Sequence, residues 1–247
     1  MIPFPEYPRP QLERKENWMV LNGLWDLKVL SKENEVIKEG KILVPFSPEA
    51  ERSGFNHITA PDETLIYTTH ISLPFSFDKE KERIFLHFGA IDYEAKVYVD
   101  GEEVGDHKGG YLPFSIEIER TEFDLEVRVT DPSDTKEQER GKQKIKRGGI
   151  WYTPQSGIWQ TVWAEKTPKE YIKSIKITPD LNGFSIIIDK EGDGECTLTL
   201  NDKSYSLSGS GETRIDISSP HLWSPEDPYL YYFSLSFSSD TVYSYVG

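Results

Sequence analysis

The feature that most constrains this chain is a tight turn between two alternating segments. Asp100-Gly101 directly follows residues 96–99, where apolar and polar side chains alternate. Such a pair favours a β-hairpin, because a type I′ turn requires positive φ at both central residues. Residues 123–130 alternate as strictly, which is typical of a strand buried on one face. The sequence therefore predicts antiparallel sheets around this hairpin.

A loop follows the hairpin. Two glycines and a proline interrupt residues 109–113, so this stretch cannot continue a regular strand. We predict a shaped, partly aromatic loop from His107 to Phe114.

No segment shows convincing helical periodicity, and aromatic residues make up 13% of the chain. Aromatic side chains suit the half-buried surface of a pleated sheet. We predict an all-β protein.

A chain of 247 residues is long enough for two domains. Residues 165–169 have the composition of a linker, and shorter, evenly spaced strands follow them. About seven short strands in roughly 80 residues favour a small immunoglobulin-like sandwich. We predict one domain over residues 1–167, beginning with an extended arm over residues 1–16, and a second domain over residues 168–247. Turns within the second domain are predicted at Asn182-Gly183 and at 209–211.

Charge and cysteine content exclude several classes of function. The formal net charge of −14 argues against a nucleic-acid or anionic-membrane partner and favours a neutral or cationic ligand. Cys196 is the only cysteine, so no intrachain disulfide can form. The chain has no apolar run of the ~20 residues that span a bilayer and no signal-peptide pattern at its start. We expect a cytoplasmic protein, or a periplasmic one if a signal peptide has been removed.

A search for catalytic or metal-binding motifs finds none. The five histidines lack the spacing of metal ligands, and neither a nucleophile elbow nor a phosphate-binding loop is present. We therefore expect no metal and no cofactor. His87, in an apolar run, is interpreted as a buried residue with its hydrogen bonds satisfied. Two carboxylates could serve glycoside hydrolysis, but 42 acidic residues do not single out a pair.

The aromatic loops are the best candidates for a binding site. Tyrosine and tryptophan offer a flat apolar face and a polar tip, which suit the faces and hydroxyl rims of sugars. The first loop is 107–114, and the second is 149–159. The candidate pocket residues are His107, Tyr111, Trp151, Tyr152 and Gln155.

Two other interpretations concern the neighbourhood of the second loop. Trp159 and Trp163 alternate along a predicted strand and are interpreted as core residues. The charge-rich segment 131–147 has no apolar periodicity and is interpreted as a solvated loop or a single helical turn.

Five phrases together resemble a known family. They are LNGLW (21–25), VPFSPE (44–49), YVDGEEVGDHKGGYLPF (98–114), SGIWQTVW (156–163), and HLWSPE with PYLY (221–226 and 228–231). In this order they resemble the N-terminal region of glycoside hydrolase family 2, which contains β-galactosidases, β-glucuronidases and β-mannosidases. The resemblance implies a jelly-roll, sugar-binding-type β-sandwich followed by an immunoglobulin-like one.

The resemblance also implies what this chain lacks. In the family a (β/α)₈ barrel follows the second sandwich and carries two catalytic glutamates, and residues 240–247 resemble the phrase that leads into it. We expect the chain to contain no catalytic residue, to brace that barrel and to shape one wall of its sugar pocket. Galactosidases and glucuronidases of the family carry an Asp before the SGI phrase, where this chain has Trp151. Specificity for galactose or glucuronate through that contact is therefore not expected.

Two alternatives stay open at this point. The chain could be a free-standing carbohydrate-binding module, or an adhesion or scaffold protein built of two sandwiches and without a ligand. A homo-oligomer is compatible with each of these interpretations.

Overall fold

The computed structural model describes residues 2–208 and 211–247, and nearly all regular structure in them is β. Two single-turn 3₁₀ helices span Pro10–Leu12 and Glu51–Ser53. The first twelve strands are β1 (Trp18–Val20), β2 (Gly23–Leu30), β3 (Val36–Val44), β4 (Thr64–Ser72), β5 (Glu82–Phe88), β6 (Ile91–Asp92), β7 (Glu94–Val99), β8 (Glu102–Lys108), β9 (Phe114–Ile118), β10 (Glu122–Thr130), β11 (Gly157–Ile158) and β12 (Val162–Pro168). The remaining seven are β13 (Tyr171–Asp180), β14 (Gly183–Glu191), β15 (Cys196–Leu200), β16 (Lys203–Leu207), β17 (Glu212–Asp216), β18 (Tyr231–Phe237) and β19 (Asp240–Val246).

The chain divides into two compact units. Unit 1 is built mainly from Met19–Phe77 and Ile84–Glu165. Unit 2 combines Lys166–Gly247 with two segments from earlier in the chain, Tyr7–Trp18 and Asp78–Arg83. Sequence position alone would assign those two segments to the first domain.

Unit 1 is a β-sandwich of two antiparallel sheets, with strand orders β3-β2-β4-β10-β7-β8 and β1-β12-β5-β9. Strand β10 shows why the layers pack. Its apolar residues Phe123 and Val127 are buried, whereas Asp124 and Arg128, which directly follow them, are exposed. Alternation of this kind gives each sheet one apolar face, and both faces contribute to one core. Each fully buried side chain of this size contributes about 1.5–3 kcal/mol.

The hairpin predicted from Asp100-Gly101 is confirmed. These residues join β7 to β8 with φ values of 49° and 85°, so both central positions are left-handed as a type I′ turn requires. The predicted 107–114 loop begins while β8 is still paired, and it ends where Phe114 opens β9.

Unit 2 is a smaller sandwich of seven strands, with sheet orders β13-β14-β17 and β16-β15-β18-β19. Its core contains Phe184, Leu198 and Phe233. The turn at Asn182-Gly183 is confirmed: a Cβ on Gly183 would lie 2.1 Å from the carbonyl oxygen of Ile215, so only glycine fits there. The turn predicted at 209–211 lies partly outside the described residues. The all-β prediction of two successive sandwiches is thus confirmed.

The N-terminal arm is more than an extended segment. Leu12 is buried in the core of unit 2, and Glu13 forms two backbone hydrogen bonds with Tyr243 of β19. The Arg14 guanidinium donates to both carboxylate oxygens of Asp240, at 2.9 and 2.6 Å. It also donates to the carbonyl oxygen of Ile172, whose own N–H donates to Asp240. Both charged side chains are almost fully buried.

His87 is buried and hydrogen bonded, as predicted. Its Nδ1 lies 2.5 Å from Ser115 Oγ, its Nε2 lies 3.1 Å from Glu165 Oε1, and its ring stacks on Trp163. Trp163 itself is 4% exposed, which confirms it as a core residue. The same prediction for Trp159 is wrong, because the backbone between β11 and β12 leaves the strand and the side chain is only half-buried.

The segment 131–147 contains turns and bends and no helix, consistent with a loop. Among the described residues, no helix is long and apolar enough to cross a membrane.

Candidate functional site

A two-stranded ladder in unit 1 places the SGIWQTVW phrase (156–163) against residues 91–92. Strand β6 pairs with β11, so Asp92 lies directly opposite Gly157. Gly157 has a φ of 78°, and a Cβ there would lie 2.1 Å from the buried Tyr67 hydroxyl. A glycine at this position therefore lets β11 approach β4 closely and holds Asp92 in place.

Three carboxyl groups meet beside this ladder: Glu49, Asp92 and Asp131. Asp92 and Asp131 are each 5% exposed, and Glu49 is partly buried. Asp131 accepts hydrogen bonds from Ser156 Oγ and from the N–H of Ser133, both at 2.7 Å. Glu49 accepts from the N–H groups of Ser156 and Thr59. Neutral donors thus hold two of the carboxylates at fixed positions.

Burial governs the protonation of this group. Removal from water raises the pKa of all three carboxyl groups, since the charged form loses its hydration. For Asp92, burial and then the negative charges of Asp131 and Glu49 raise the pKa to about 7. Asp92 therefore exists in both charged and neutral forms near neutral pH. It can accept a hydrogen bond in one form and donate one in the other.

Aromatic side chains border Asp92. Trp159 Nε1 donates to the carbonyl oxygen of Gly110 at 2.8 Å, and its ring meets Tyr111 edge-on at 6.2 Å. A Cβ on Gly110 would lie 2.5 Å from the Asp92 carboxyl group, so the loop backbone passes directly over that group. The two aromatic loops predicted from the sequence are therefore joined at Gly110.

Two glutamine side chains link Tyr111 to Ser47 through hydrogen bonds. Tyr111 Oη lies 3.5 Å from Gln143 Nε2, and Gln143 Oε1 accepts from the N–H of Gln155 at 2.5 Å. Gln155 Oε1 accepts from Ser47 Oγ at 2.5 Å. The structure thus links two predicted site residues, Tyr111 and Gln155, through a residue that the sequence did not single out.

Trp151 and Tyr152 lie on the outer part of the same loop. Tyr152 pairs with Gln143, and its N–H donates to the carbonyl oxygen of Lys142. Its side chain is 69% exposed. Trp151 is half-buried beneath Lys144, whose ammonium group lies 4.2 Å from the ring centre. Segment 131–147 therefore contacts both aromatic residues, Tyr152 through Gln143 and Trp151 through Lys144.

His107 is positioned by the core. Its ring stacks on Phe114 with centroids 4.2 Å apart, and Phe114 stacks on the buried Phe88. Its Nε2 is buried and has no hydrogen-bond partner among the described residues. His107 therefore belongs to an aromatic stack with Phe114 and Phe88. The hydrogen bonds that link Tyr111, Gln143 and Gln155 form a separate set of contacts.

The carboxyl groups are what sequence reasoning missed. Glu49 lies in one family-like phrase and Asp131 precedes a proline, but neither pattern distinguishes them from other acidic residues. Asp92 follows an isoleucine, and that pattern does not distinguish it from other acidic residues either. Within residues 2–208 and 211–247, no group of three or more His, Cys, Asp or Glu side chains is arranged to hold a metal ion.

Comparisons with known proteins show what the chain is similar to. Residues 176–247 match the model of glycosyl hydrolases family 2. The chain is 25% identical over 257 residues to a β-glucuronidase of Streptococcus agalactiae, covering 90% of this chain and 41% of that protein. It is 28% identical to a β-galactosidase of Thermoanaerobacter pseudethanolicus, covering 76% of this chain and 28% of the relative.

Solved structures agree in fold. The β-glucuronidase of Faecalibacterium prausnitzii superposes with a TM-score of 0.71 over 98% of this chain and 47% of its own, at 22% identity. These matches confirm the relationship to family 2 glycosidases that the motifs predict. The chain spans less than half the length of each of these relatives.

Proposed function

We propose that this chain is the non-catalytic N-terminal part of a family 2 β-glycosidase. In this proposal unit 1 forms one wall of the sugar pocket, and both units brace a catalytic barrel supplied by further sequence. The observation that carries it is the Asp92 group: a carboxyl of raised pKa, held on the β6–β11 ladder and bordered by Trp159 and Tyr111.

The chemistry of this wall suits a sugar ring. Carboxylate oxygens accept hydrogen bonds from sugar hydroxyls, and the aromatic side chains cover apolar C–H surface. Asp92 is 5% exposed and lies beneath the Gly110 backbone, so it would act on the sugar by positioning the loop that carries Tyr111. Trp151 and Tyr152 would contact the partner surface or a more distant part of the substrate.

The same wall favours a neutral glycoside. Three acidic side chains lie together, and none of the influences that set the pKa of Asp92 is a cation. A uronic acid would add a further negative charge beside this acidic group, which would repel it. The relatives include both β-galactosidases and β-glucuronidases, and this argument favours the neutral substrate.

The first test is to read the gene beyond the codon for Gly247 and assay the whole product. We expect a barrel-encoding sequence, and hydrolysis of p-nitrophenyl β-galactoside faster than that of the glucuronide. The chain of 247 residues alone should hydrolyse neither compound. A stop codon after Gly247, or turnover by the chain alone that a single acidic substitution abolishes, would contradict the proposal. The stop codon would favour a free-standing binding module instead.

The second test uses substitutions in that whole product. Asp92→Asn and Tyr152→Ala should each lower kcat/KM by about 5- to 100-fold, the size of one lost polar or aromatic contact. Asp124→Asn is the matched control, because Asp124 is an exposed acidic residue of the same unit. Equal effects of Asp92→Asn and Asp124→Asn would show that Asp92 does not shape the substrate pocket.

A further inference from the structure

The outer face of one sheet in unit 2 carries hydroxyl groups in register. On strands β15, β18 and β19, the outward residues are serine, threonine and tyrosine, since the intervening residues are buried. Thr199 lies opposite Ser234, and Ser234 lies opposite Tyr243. In the adjacent row Tyr232 lies directly opposite Tyr245. These rows carry no charged side chain, although 28% of the chain is charged.

A groove of about 450 Å³ follows these rows, a volume in the range of small-ligand sites. The N-terminal arm forms one side of it through Pro10, Glu13 and Lys15. The two charges on that side lie close together, with Lys15 Nζ 2.5 Å from Glu13 Oε2. The groove therefore presents little net charge.

The tyrosine side chains in the groove are partly open to solvent, and Lys15 Nζ lies 5.2 Å from the centre of the Tyr243 ring, so a sugar would stack on the opposite face of that ring. Tyr232 is 69% exposed and Tyr243 is 40% exposed. The rings of Tyr232 and Tyr245 are 6.0 Å apart and inclined at 56°, so neither covers the face of the other. Two backbone hydrogen bonds to Glu13 fix the backbone of Tyr243, at 2.9 and 2.8 Å. Burying these rings against a ligand would therefore cost little backbone entropy.

We propose that this groove binds a neutral oligosaccharide, with Tyr232 and Tyr243 stacking on sugar rings and Thr199 and Ser234 bonding to sugar hydroxyls. A nucleic acid or polyuronate would be repelled by a chain of charge −14. A peptide strand adds to the edge of a sheet, whereas this groove lies on a face. The site is separate from the proposed pocket wall of unit 1 and does not depend on it.

The test is calorimetric titration of the 247-residue chain with cellohexaose, xylohexaose and a hexa-galacturonide of equal length. We expect binding of at least one neutral probe and weaker binding of the charged one. Tyr232→Ala and Tyr243→Ala should each weaken that binding roughly tenfold, as expected for the loss of one aromatic contact. Tyr229→Ala is the matched control, because Tyr229 in the same unit is 41% exposed, close to the 40% of Tyr243, and does not line the groove.

Each other outcome would overturn the proposal. If neither neutral probe binds, the proposal is wrong. It is also wrong if Tyr152→Ala weakens binding and Tyr232→Ala does not, because that result would place the sugar on unit 1. Sedimentation velocity on the same variants identifies the competing occupant. Self-association that Tyr232→Ala abolishes would show that a second copy covers this face.

Discussion

The two units contain buried aspartates in opposite electrostatic settings. In unit 2, Asp240 faces the guanidinium of Arg14 and accepts a further hydrogen bond from the N–H of Ile172. In unit 1, Asp92 lies beside two other carboxyl groups, and its pKa is raised to about 7. The first arrangement satisfies a charge inside the protein. The second leaves a buried carboxyl group without a compensating cation. The difference teaches that burial alone does not decide the protonation of an aspartate, whereas the presence or absence of a compensating cation does.

The largest effect should come from breaking the compensated pair. Arg14→Ala would leave Asp240 charged and buried without its partner, which typically costs about 3–5 kcal/mol. Urea unfolding monitored by amide hydrogen exchange should show this loss of unfolding free energy in the residues of unit 2. Lys41→Ala is the control, since its ion pair with Asp26 is largely exposed and should contribute little. Equal losses in the two variants would remove the distinction between the buried pair and a surface pair.

A loss of similar size should follow removal of a core aromatic from unit 1. Trp163 is 4% exposed and stacks on His87 with centroids 4.6 Å apart. Trp163→Ala should therefore lower the free energy of unfolding by about 3–5 kcal/mol. Thermal unfolding of the variant measures this loss. A loss below about 1 kcal/mol would show that the cavity collapses and that Trp163 is not a support of the sandwich.

A smaller effect, of opposite sign, should follow neutralisation of the uncompensated carboxyl. The pKa of Asp92 rises from 3.8 to about 7 on folding, so the folded state favours its protonated form. Ionisation therefore lowers stability progressively as the pH rises from 3.8 through about 7. Asp92→Asn should be more stable than the parent above pH 7, by about 1–2 kcal/mol or roughly 2–8 °C in Tm.

This stabilisation by Asp92→Asn should vanish below pH 4, where the parent carboxyl is also protonated. Melting curves from pH 4 to pH 8 would show the trend. A variant that is less stable than the parent at every pH would indicate an unrecognised hydrogen bond to Asp92.

The smallest change in stability should come from Tyr152→Ala. The side chain is 69% exposed, so its removal should alter the free energy of unfolding by no more than about 0.5 kcal/mol. Its effect on kcat/KM of the whole glycosidase should exceed that value. If Tyr152→Ala destabilises unit 1 as strongly as Trp163→Ala, the residue supports the fold and is not part of a site.

Much of the fold follows from the sequence because it depends on local patterns. The alternation at 123–130 and the turn at Asp100-Gly101 predict β10 and the β7–β8 hairpin, since each depends only on neighbouring residues. Trp159 shows the limit of such reasoning. Its spacing from Trp163 suits a strand, but the chain leaves the strand between them and the side chain turns to Gly110.

The site is less predictable because it depends on distant contacts. Aromatic loops could be recognised by composition, and the structure joins them through Trp159 and Gly110. Glu49, Asp92 and Asp131 come from three separate segments, and only the folded chain distinguishes them from the other acidic residues. The packing of the predicted arm into unit 2 could not be foreseen for the same reason, because its partner Asp240 lies 226 residues from Arg14.

That separation has a consequence for synthesis. Translation at ~5–20 residues per second delivers Asp240 roughly 10–45 s after Arg14 has been added to the chain. During that interval Leu12 and Arg14 have already been synthesised, whereas the main strands of unit 2, into which they pack, have not. The sandwich of residues 166–247 is thus completed by the part of the polypeptide made first, and it reaches its final form only when synthesis has passed its last strand.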